Sequence, residues 1–537
     1  MEIELKLLLD PADIAAFRRH ALLRQYAITK PRVQQLTSTY FDTDDFHFKR
    51  HAIALRVRRI NREWVQTIKG EARVSAGLHQ RQEWERSLNG PHPDLTLFKD
   101  QQGYGKGWTK SLTDSSLTGR LIPVFSTKVR RTIWLLRLEH GSEVELVLDQ
   151  GEVRGEAPHD KAVAPISEIE LELKSGDAGE LFDFALQLQQ SIPLRIGNIS
   201  KSERGYALHA VQAPPAATAA RLKLASNLSV EQSFQIIAAN CLMQIQGNEA
   251  GVGTAKGNAP ENIHQMRLGL RRLLSVLGLF AAVAPCPPAL TDELKWLAGE
   301  LGAARDWDVL AGETLDGIVA ACPDEPGLTP LQQAAVKQAQ KKRRAAAATL
   351  NSVRYARLML AFGNWMHGAY WRTQPGGPMR ARLEAPLAKF AAKMLAQREK
   401  QLVRRSQKLQ DAEHKAKEKT KETAVPETSE NVPRVRHRMR IAVKKTRYAI
   451  EFFESLYPAR QIRPFIKALS GLQTALGHLN DASIAAGLLQ SLGSTHASTA
   501  QAAGFAQAYL VLHMQRDSRK IGKLWKRFAA IPLPHGK

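Results

Sequence analysis

The period of the hydrophobic pattern changes near residue 210, and this change restricts the fold more than any other feature. Before it, short segments such as Met1–Leu7, Ala54–Ile60 and Val144–Leu148 alternate polar and apolar residues, as β-strands do. Two predicted helices, near Asp13–Tyr26 and Ala178–Gln190, interrupt these strands. After a Pro/Ala-rich linker, long segments repeat their apolar residues with the period of an α-helix. The sequence therefore predicts an α+β multidomain protein, in which a β-domain precedes an all-α domain.

The size and the charge of the chain limit what it can bind. With 537 residues it is too long for one hydrophobic core, so we expect two or three domains. It has 76 Lys and Arg residues against 52 Asp and Glu residues, which gives a net charge of +24. Such a surplus predicts a polyanionic partner: a nucleic acid, a membrane surface, or a phosphate-rich molecule or polymer.

The N-terminus and the cysteines predict a cytoplasmic location. The first residues place acids before a short apolar run, unlike a signal peptide, and no segment reaches the roughly 20 apolar residues that span a bilayer. Cys241, Cys286 and Cys322 form no CxxC pair and are odd in number, which argues against a zinc site or a disulfide framework. We therefore expect reduced thiols and no membrane partner.

Charged residues recur on one face of the predicted strands. In Glu2-Ile-Glu-Leu-Lys6 both carboxylates and the lysine share a face, because side chains alternate along a strand. The same spacing occurs at Arg56/Arg58, Glu83/Glu85, Lys128/Arg130 and Glu168/Glu170/Glu172. A solvated face would explain any one of these strands, but five together favour the charged lumen of a closed or nearly closed barrel. Paired acids favour a divalent metal and paired bases favour an anion, a combination typical of phosphoryl transfer.

These motifs resemble the CYTH superfamily, the triphosphate tunnel metalloenzymes. The ExExK signature stands at the N-terminus, and the RxR pair, Lys69, the ExE pair, the KxR pair and the EIEL segment follow in family order. Asp149 resembles the family's aspartate after the penultimate strand, and Ser200-Lys201 resembles its closing Ser-Lys pair. The resemblance covers about residues 1–205. It implies an eight-stranded antiparallel β tunnel, with flanking helices, that hydrolyses or rearranges triphosphates with Mg²⁺ or Mn²⁺.

Charge, strand geometry and this resemblance together assign a role to each residue of the predicted tunnel. The expected metal ligands are Glu2, Glu4, Asp149, Glu168, Glu170 and Glu172. The residues expected to bind the triphosphate oxygens are Lys6, Arg56, Arg58, Lys69, Lys128, Arg130 and Lys201. The predicted catalytic set is Glu2, Glu4, Lys6, Arg56, Arg58, Lys69, Glu83 and Glu85. The last two could bind metal, orient the attacking water or fix a basic neighbour.

The helical half contains an internal repeat that carries a basic stripe in each copy. His264 corresponds to His437, 173 residues later, and Leu301–Asp306 corresponds to Leu476–Asp481, 175 residues later. A lone basic stripe is usually a solvated face, but two copies that border the core stripe favour a basic cleft that binds phosphate. The predicted binding residues are His264, Arg267, Arg271, Arg272, His437, Arg440, Lys444, Lys445 and Arg447. Metal binding by the histidines is disfavoured, because neighbouring cations would repel a metal.

This half resembles the CHAD domain, whose motifs are the HxxR basic helix and the LGxxRDxD turn at Leu301–Asp308. The second copy departs from that turn, because Asn480 replaces the arginine and Ser483 the second aspartate. The resemblance implies a helical bundle with an internal two-fold repeat that binds inorganic polyphosphate. The predicted domains are therefore a catalytic domain at 1–205, a linker at 206–225 and a helical domain at 226–537. The two repeats of that helical domain span about 226–410 and 432–537, and a charged stretch at 411–431 separates them.

A CYTH domain joined to a CHAD domain looks like the bacterial inorganic triphosphatases of that architecture, which implies hydrolysis of tripolyphosphate to pyrophosphate and phosphate. Class IV adenylate cyclase and thiamine or nucleoside triphosphatase are alternatives in the same tunnel. A non-catalytic polyphosphate-binding protein is a further alternative, although the ExExK and EIEL motifs are complete. A nucleic-acid partner is disfavoured, because the sequence lacks aromatic stacking motifs and a helix-turn-helix signature. The helical surface could support a homodimer.

Overall fold

The computed structural model describes residues 2–70, 73–98, 115–156, 162–209, 215–253, 258–368, 371, 377–423, 431–495 and 497–534. The chain forms two compact units. The first comprises Met1–Pro214 and Leu350–Tyr370, and the second comprises Pro215–Thr349 and Trp371–Lys537. The first unit is built on an antiparallel sheet and the second is helical, which confirms the predicted α+β multidomain class. None of the described helices is long and apolar enough to cross a membrane.

All strands of the first unit belong to one antiparallel sheet. They are β1 (Glu2–Leu9), β2 (Arg32–Asp42), β3 (Ala54–Ile60), β4 (Glu63–Lys69), β5 (Arg73–Ser75), β6 (Leu78–Arg81), β7 (Glu83–Leu88), β8 (Ile122–Arg137), β9 (Glu143–Gly155), β10 (Val163–Ser175) and β11 (Leu194–Ile196). The strand order is β5-β6-β1-β10-β9-β8-β2-β3-β4-β7, and β11 pairs with β1.

The two ends of this sheet meet at Gln82. β6 pairs with β1 and β7 pairs with β4, and Gln82 alone separates β6 from β7. The Gln82 carbonyl also accepts a hydrogen bond from the Gly70 amide at 3.0 Å. β6 and β7 therefore act as one interrupted strand that joins both ends of the sheet. With β1–β4 and β8–β10 they account for the eight strands expected of a tunnel, and β5 and β11 are short additions.

Helices pack on both faces of the sheet: most cover its outer face, and the helix that begins at Lys201 packs against Phe125 on the inner face. Those of the first unit are α1 (Ile14–Arg18), α2 (Ala21–Tyr26), α3 (His47–Arg50), α4 (Ser115–Thr118), α5 (Ala178–Leu188), α6 (Lys201–Leu208) and α13 (Val353–His367). Strand alternation separates the two faces: Leu5 and Leu7 are buried on the outer face of β1, whereas Glu4 and Lys6 point to the inner face. At the start of α6, Ser200 and Glu203 form a capping box that fixes the position of Lys201.

The helix α13 comes from the helical half of the sequence but packs within the first unit, against α5 and β11. Gly363 allows the close approach, because an added Cβ would lie 2.3 Å from Cε1 of Phe182 and 2.8 Å from Cβ of Ala76. Asn364 donates a hydrogen bond to Asp183 at 2.5 Å. Helical periodicity in the sequence predicts this segment to be part of the helical domain.

The second unit consists of α7 (Val230–Gln246), α8 (Glu249–Gly253), α9 (Ala259–Phe280), α10 (Pro288–Val309), α11 (Leu315–Ala321), α12 (Leu328–Leu350), α14 (Gly377–Glu384), α15 (Leu387–Thr423), α16 (Asn431–Phe452), α17 (Ala459–Thr495) and α18 (Ala497–Ala529). The two copies of the basic stripe lie on α9 and α16, which contact each other. Most of the charged stretch predicted to separate the repeats belongs to the end of α15, and residues 424–430 lie outside the described residues.

Candidate functional site

The sheet of the first unit encloses a cavity of about 460 Å³, the lumen. Its charged and aromatic lining comes from strands on every side and from α6. The lining residues of this kind are Glu2, Glu4, Lys6, Tyr40, Arg56, Arg58, Lys69, Arg81, Glu83, Glu85, Arg131, Glu145, Glu170, Glu172, Lys174 and Lys201. The structure therefore brings together every residue of the predicted catalytic set, along with several charges that the sequence analysis did not select.

Two buried lysines hold together the carboxylates at one end of the lumen. Lys6 Nζ lies 2.8 Å from Glu170, and Lys201 Nζ lies 2.9 Å from Glu170 and 2.7 Å from Asp149. Burial alone would raise the pKa of Glu170, but Lys201 and Lys6 outweigh it and hold the pKa well below its usual range. Glu168 joins the same network through Lys201 at 2.5 Å. These carboxylates are therefore ionised and matched by cations.

The middle of the lumen is basic. Arg56 lies 3.6 Å from Glu83 and from Glu85, but Arg58 forms no ion pair with any carboxylate in the described part of the chain. Its Nε donates to Ser38 Oγ at 3.0 Å. Burial, Arg56 and Arg131 lower the pKa of Arg58 to about 9, so its charge is under-compensated. An anion that entered the lumen would supply the missing negative charge.

Tyr40 also lines this basic region, and sequence reasoning missed it. Burial alone would raise the pKa of its phenol, but Arg56, Arg58 and neighbouring lysines outweigh burial and lower it. The ring stacks on Phe125 with centroids 4.5 Å apart. Tyr40 stands beside Phe41 in β2, and a single tyrosine next to a phenylalanine carries no pattern that distinguishes a lumen residue from a core residue.

Carboxylates form a patch at the other end of the lumen, the acidic patch, which consists of Glu2, Glu4, Glu145 and Glu172. Glu172 of β10 pairs in register with Glu4 of β1 on one side and with Glu145 of β9 on the other. Lys174 lies 2.7 Å from Glu172, yet burial, Glu2 and Glu145 raise the pKa of Glu172 more than Lys174 lowers it. Lys174 also lies 3.9 Å from Glu145, so Glu145 and Glu172 share this one lysine among the described residues, and this part of the patch carries surplus negative charge. Glu145 was missed, although the Glu143-Val-Glu145 spacing ahead of Asp149 was a usable signal.

Lys128 and Arg130 do not reach the lumen. Both are exposed, whereas their neighbour Arg131 lines the cavity and binds Asp149 through two hydrogen bonds of 2.8 and 2.6 Å. The prediction was thus displaced by one residue, which moves a side chain to the opposite face of a strand. The cause is that β8 has apolar residues on both faces, as at Ile133 and Trp134, so alternation alone does not identify the inner one.

In the second unit, four basic residues of the predicted set gather between α9 and α16: Arg267, Arg271, Arg440 and Lys444, the four-cation cluster. Arg267 lies 2.7 Å from Asp306 and Arg440 lies 3.8 Å from Asp481, so the two copies of the repeat form equivalent ion pairs. Arg271 and Lys444 have no ion pair within the described ranges. Burial, Arg271, Arg440 and Arg267 lower the pKa of Lys444 to about 6.

The remaining predicted residues of this unit lie elsewhere. Arg272 and Arg447 line a separate cavity of about 280 Å³, and Arg272 donates to Gln244 and Asn240 at 2.8 Å each. Burial and Arg398 lower the pKa of Lys445, which is exposed next to Lys444. The two histidines border the cluster: burial and Arg305 lower the pKa of His264, and His437 lies 3.2 Å from Asn480.

Comparison with known proteins identifies both halves. Residues 1–206 match the CYTH domain, and residues 236–490 match the CHAD domain. An inorganic triphosphatase of Haemophilus influenzae is 34% identical over 212 residues, which are 39% of this chain and 56% of that relative, so the chain spans just over half of its length. A crystal structure of the CHAD domain from the plant Ricinus communis is 37% identical, with a TM-score of 0.50, and the match covers 60% of this chain and 98% of that one. The chain thus belongs to the proteins that join a CYTH domain to a CHAD domain.

Proposed function

We propose that this protein is an inorganic triphosphatase, a phosphoric anhydride hydrolase that cleaves tripolyphosphate to pyrophosphate and phosphate with the help of Mg²⁺ or Mn²⁺. The observation that carries the proposal is the division of one lumen into two regions: a basic region, where Arg58 contacts Ser38 and no carboxylate of the described residues, and an acidic patch, where Glu145 and Glu172 share one lysine. A substrate that is a polyanion bound to a divalent cation matches both regions at once. The activity named for the Haemophilus influenzae relative supports the same reaction.

The basic side chains would bind and orient the triphosphate. Arg58 and Arg56 are suited to paired contacts with phosphate oxygens, and Lys69 adds a point charge from the next strand. Arg131 takes the place that the sequence analysis gave to Lys128 and Arg130. These cations are at least partly shielded from water, and ion pairs hold Arg56, Lys69 and Arg131 in place, so they can stabilise the charge that develops on the leaving pyrophosphate with little reorganisation.

The acidic patch fits a hard divalent cation, because its donors are carboxylate oxygens and two of them, Glu145 and Glu172, share a single lysine. We propose that Glu2, Glu4, Glu145 and Glu172 hold the ion. A bound divalent cation would withdraw charge from the phosphoryl oxygens and make water a better nucleophile. Asp149, Glu168 and Glu170 also lie close enough for a shared ion, with oxygens within 4.8 Å of one another. Lys6, Lys201 and Arg131 already neutralise them, so we assign them the role of positioning those cations.

The experiment that tests this proposal compares phosphate release from tripolyphosphate, ATP and thiamine triphosphate at equal concentration, with Mg²⁺ and with Mn²⁺. We expect the highest kcat/KM for tripolyphosphate and no turnover in excess chelator. Formation of cyclic AMP from ATP would support the adenylate cyclase alternative, and faster hydrolysis of ATP or thiamine triphosphate would support the other tunnel activities. No turnover of any substrate would leave a polyphosphate-binding protein without catalysis.

For the helical half, we propose that the four-cation cluster binds inorganic polyphosphate. The supporting observation is that Arg271 and Lys444 lie half-buried beside two further arginines, without carboxylates of their own among the residues that the structure describes. A chain of phosphates carries closely spaced negative charge that would neutralise all four. The double substitution of Arg271→Gln and Lys444→Gln should weaken binding of long-chain polyphosphate and leave tripolyphosphate hydrolysis unchanged. Lys445→Gln is the matched control, because Lys445 is adjacent in sequence and faces Arg398 instead.

The proposed cellular setting is the cytoplasm. Cys241, Cys286 and Cys322 are all free thiols in the structure, which suits a reducing compartment. A homodimer formed through the helical surface remains a proposal that light scattering of the purified protein can test.

A further inference from the structure

One arginine of the lumen occupies the carboxylates expected to hold a metal ion. Arg81 of β6 stands opposite Glu2 of β1 in the strand register. Its Nε lies 2.6 Å from Glu2 Oε2, and its Nη2 lies 2.9 Å from Glu4 Oε1. The three side chains are 9%, 12% and 5% exposed, respectively. The guanidinium thus bridges the Glu2–Glu4 pair, where water has little access.

The contacts of individual oxygen atoms show how fully the pair is engaged. Glu2 Oε2 is taken by Arg81, and Glu2 Oε1 lies 3.2 Å from Lys69 Nζ. Glu4 Oε1 is shared between Arg81 at 2.9 Å and Lys6 at 3.8 Å. Without Arg81, two carboxylates on the same strand face would repel each other across a poorly solvated space. A divalent cation would relieve the same repulsion through the same oxygens.

We propose that Arg81 is an internal competitor for the divalent ion: it closes the Glu2–Glu4 pair in the metal-free protein and releases the pair when the ion binds. The inference rests on the metal dependence of the proposed function and adds a residue that acts on it. Release follows from charge and space, because a guanidinium and a divalent cation cannot both occupy these oxygens in a buried site without strong repulsion.

The released guanidinium remains in a lumen that also contains Arg56, Arg58 and Lys69. Having lost its carboxylate partners, it would be free to contact the phosphate oxygens of a substrate bound beside these residues. Entry of the ion therefore changes Arg81 from a partner of the acidic patch into a ligand of the triphosphate. This exchange predicts that the metal binds before the substrate.

The test is direct titration of the full-length protein with Mn²⁺ in a calorimeter, without substrate, for the wild type and for Arg81→Gln. We expect Arg81→Gln to bind Mn²⁺ roughly tenfold more tightly or better, because the competing ion pair is gone. Thermal unfolding gives a second readout that does not depend on activity. Without metal the variant should melt below the wild type, since two buried carboxylates have lost their partner, and Mn²⁺ should raise its Tm by more than it raises that of the wild type.

Two further variants make the result specific. Arg131→Gln is the matched control, because Arg131 is another buried lumen arginine that bridges two carboxylates, Asp149 and Glu170. We expect its Mn²⁺ affinity to stay near that of the wild type. Arg81→Lys keeps the positive charge and should show a smaller gain in affinity than Arg81→Gln.

The outcomes separate this inference from the proposed function. Unchanged or weaker Mn²⁺ binding in Arg81→Gln, with normal binding by the wild type, would overturn the competitor role alone. Tighter binding in Arg131→Gln instead would place the ion at Asp149 and Glu170 and would also overturn it. A wild type that binds neither Mn²⁺ nor Mg²⁺ would contradict the metal dependence of the proposed function itself.

Discussion

The lumen and the four-cation cluster both bring several lysines and arginines close together, but the two sites balance these charges in opposite ways. In the described part of the lumen every lysine and arginine except Arg58 has a carboxylate within 4.0 Å, as the ion pairs of Lys6 and Lys201 illustrate. In the cluster, Arg271 and Lys444 have no ion pair among the described residues, and their pKa values fall to about 10 and about 6, respectively, through burial and neighbouring cations. A site with both signs of charge can take a cation and an anion together, whereas a site with one sign can take only an anion.

The largest expected effect tests the acidic side of this comparison. Glu4→Gln removes one charge from the acidic patch and should lower kcat for tripolyphosphate roughly a thousandfold, equivalent to about 4 kcal/mol of barrier. Binding of long-chain polyphosphate by the same variant, measured by calorimetry, should equal that of the wild type. Comparable loss of both would mean that the two basic sites do not act independently.

The second-largest effect is expected at Arg58, the lumen arginine that has no carboxylate partner among the described residues. Arg58→Gln should raise KM for tripolyphosphate about tenfold to a hundredfold, because a charge-assisted hydrogen bond is lost. Its Tm should rise, since the folded protein no longer buries a cation that lacks a carboxylate. Arg56→Gln is the matched control and should lower Tm, because Glu85 loses its ion-pair partner and Glu83 keeps only Lys69. A fall in Tm for both variants would show that Arg58 has no special electrostatic position.

A pH series tests the cluster. The pKa of Lys444 is about 6 in the folded protein against an ordinary 10.5, so between these values the unfolded chain holds a proton that the folded protein lacks. Stability should therefore rise with pH across that window, and polyphosphate affinity should fall above pH 6, because the anion must then recruit a proton to Lys444. Lys444→Gln should flatten both dependences and weaken binding at pH 6 about tenfold. A pH-independent affinity in the wild type would remove Lys444 from the binding site.

The smallest effect concerns the packing of the first unit. Gly363→Ala places a Cβ against Phe182 and Ala76 and should destabilise the protein by about 1–3 kcal/mol. Gly299→Ala, in the middle of α10 where an added Cβ meets nothing within 4 Å, should stabilise its helix by about 1 kcal/mol. Chemical denaturation of both variants, followed by circular dichroism, measures whether the free energy of unfolding falls for Gly363→Ala and rises for Gly299→Ala. Stabilisation by Gly363→Ala would show that α13 is not tightly packed on α5.

Local patterns were enough to predict much of the lumen. Glu2, Glu4 and Lys6 share a face because side chains alternate along any strand, and the same rule brought Arg56 and Arg58 into the cavity. The rule failed at β8, because apolar residues on both faces of this strand do not show which face points inward. Arg130 was therefore predicted to line the lumen, where the structure has Arg131. In the helical half, the spacing of the repeated stripe predicted Arg267 and Arg440 as equivalent, and each does pair with the matching aspartate.

The sequence by itself determined the two halves of this protein. The period of a hydrophobic pattern depends on whether a segment is a strand or a helix, and it does not depend on how the segments pack together. It also determined which face carries charge in the strands that alternate clearly, such as β1 and β3, but not in β8. Only the tertiary structure decided which charges meet. Strand register sets Arg81 against Glu2 and aligns Glu145, Glu172 and Glu4, and long-range packing brings α13 into the first unit. Such contacts join residues far apart in the chain, and their charges balance only after the sheet has closed around them.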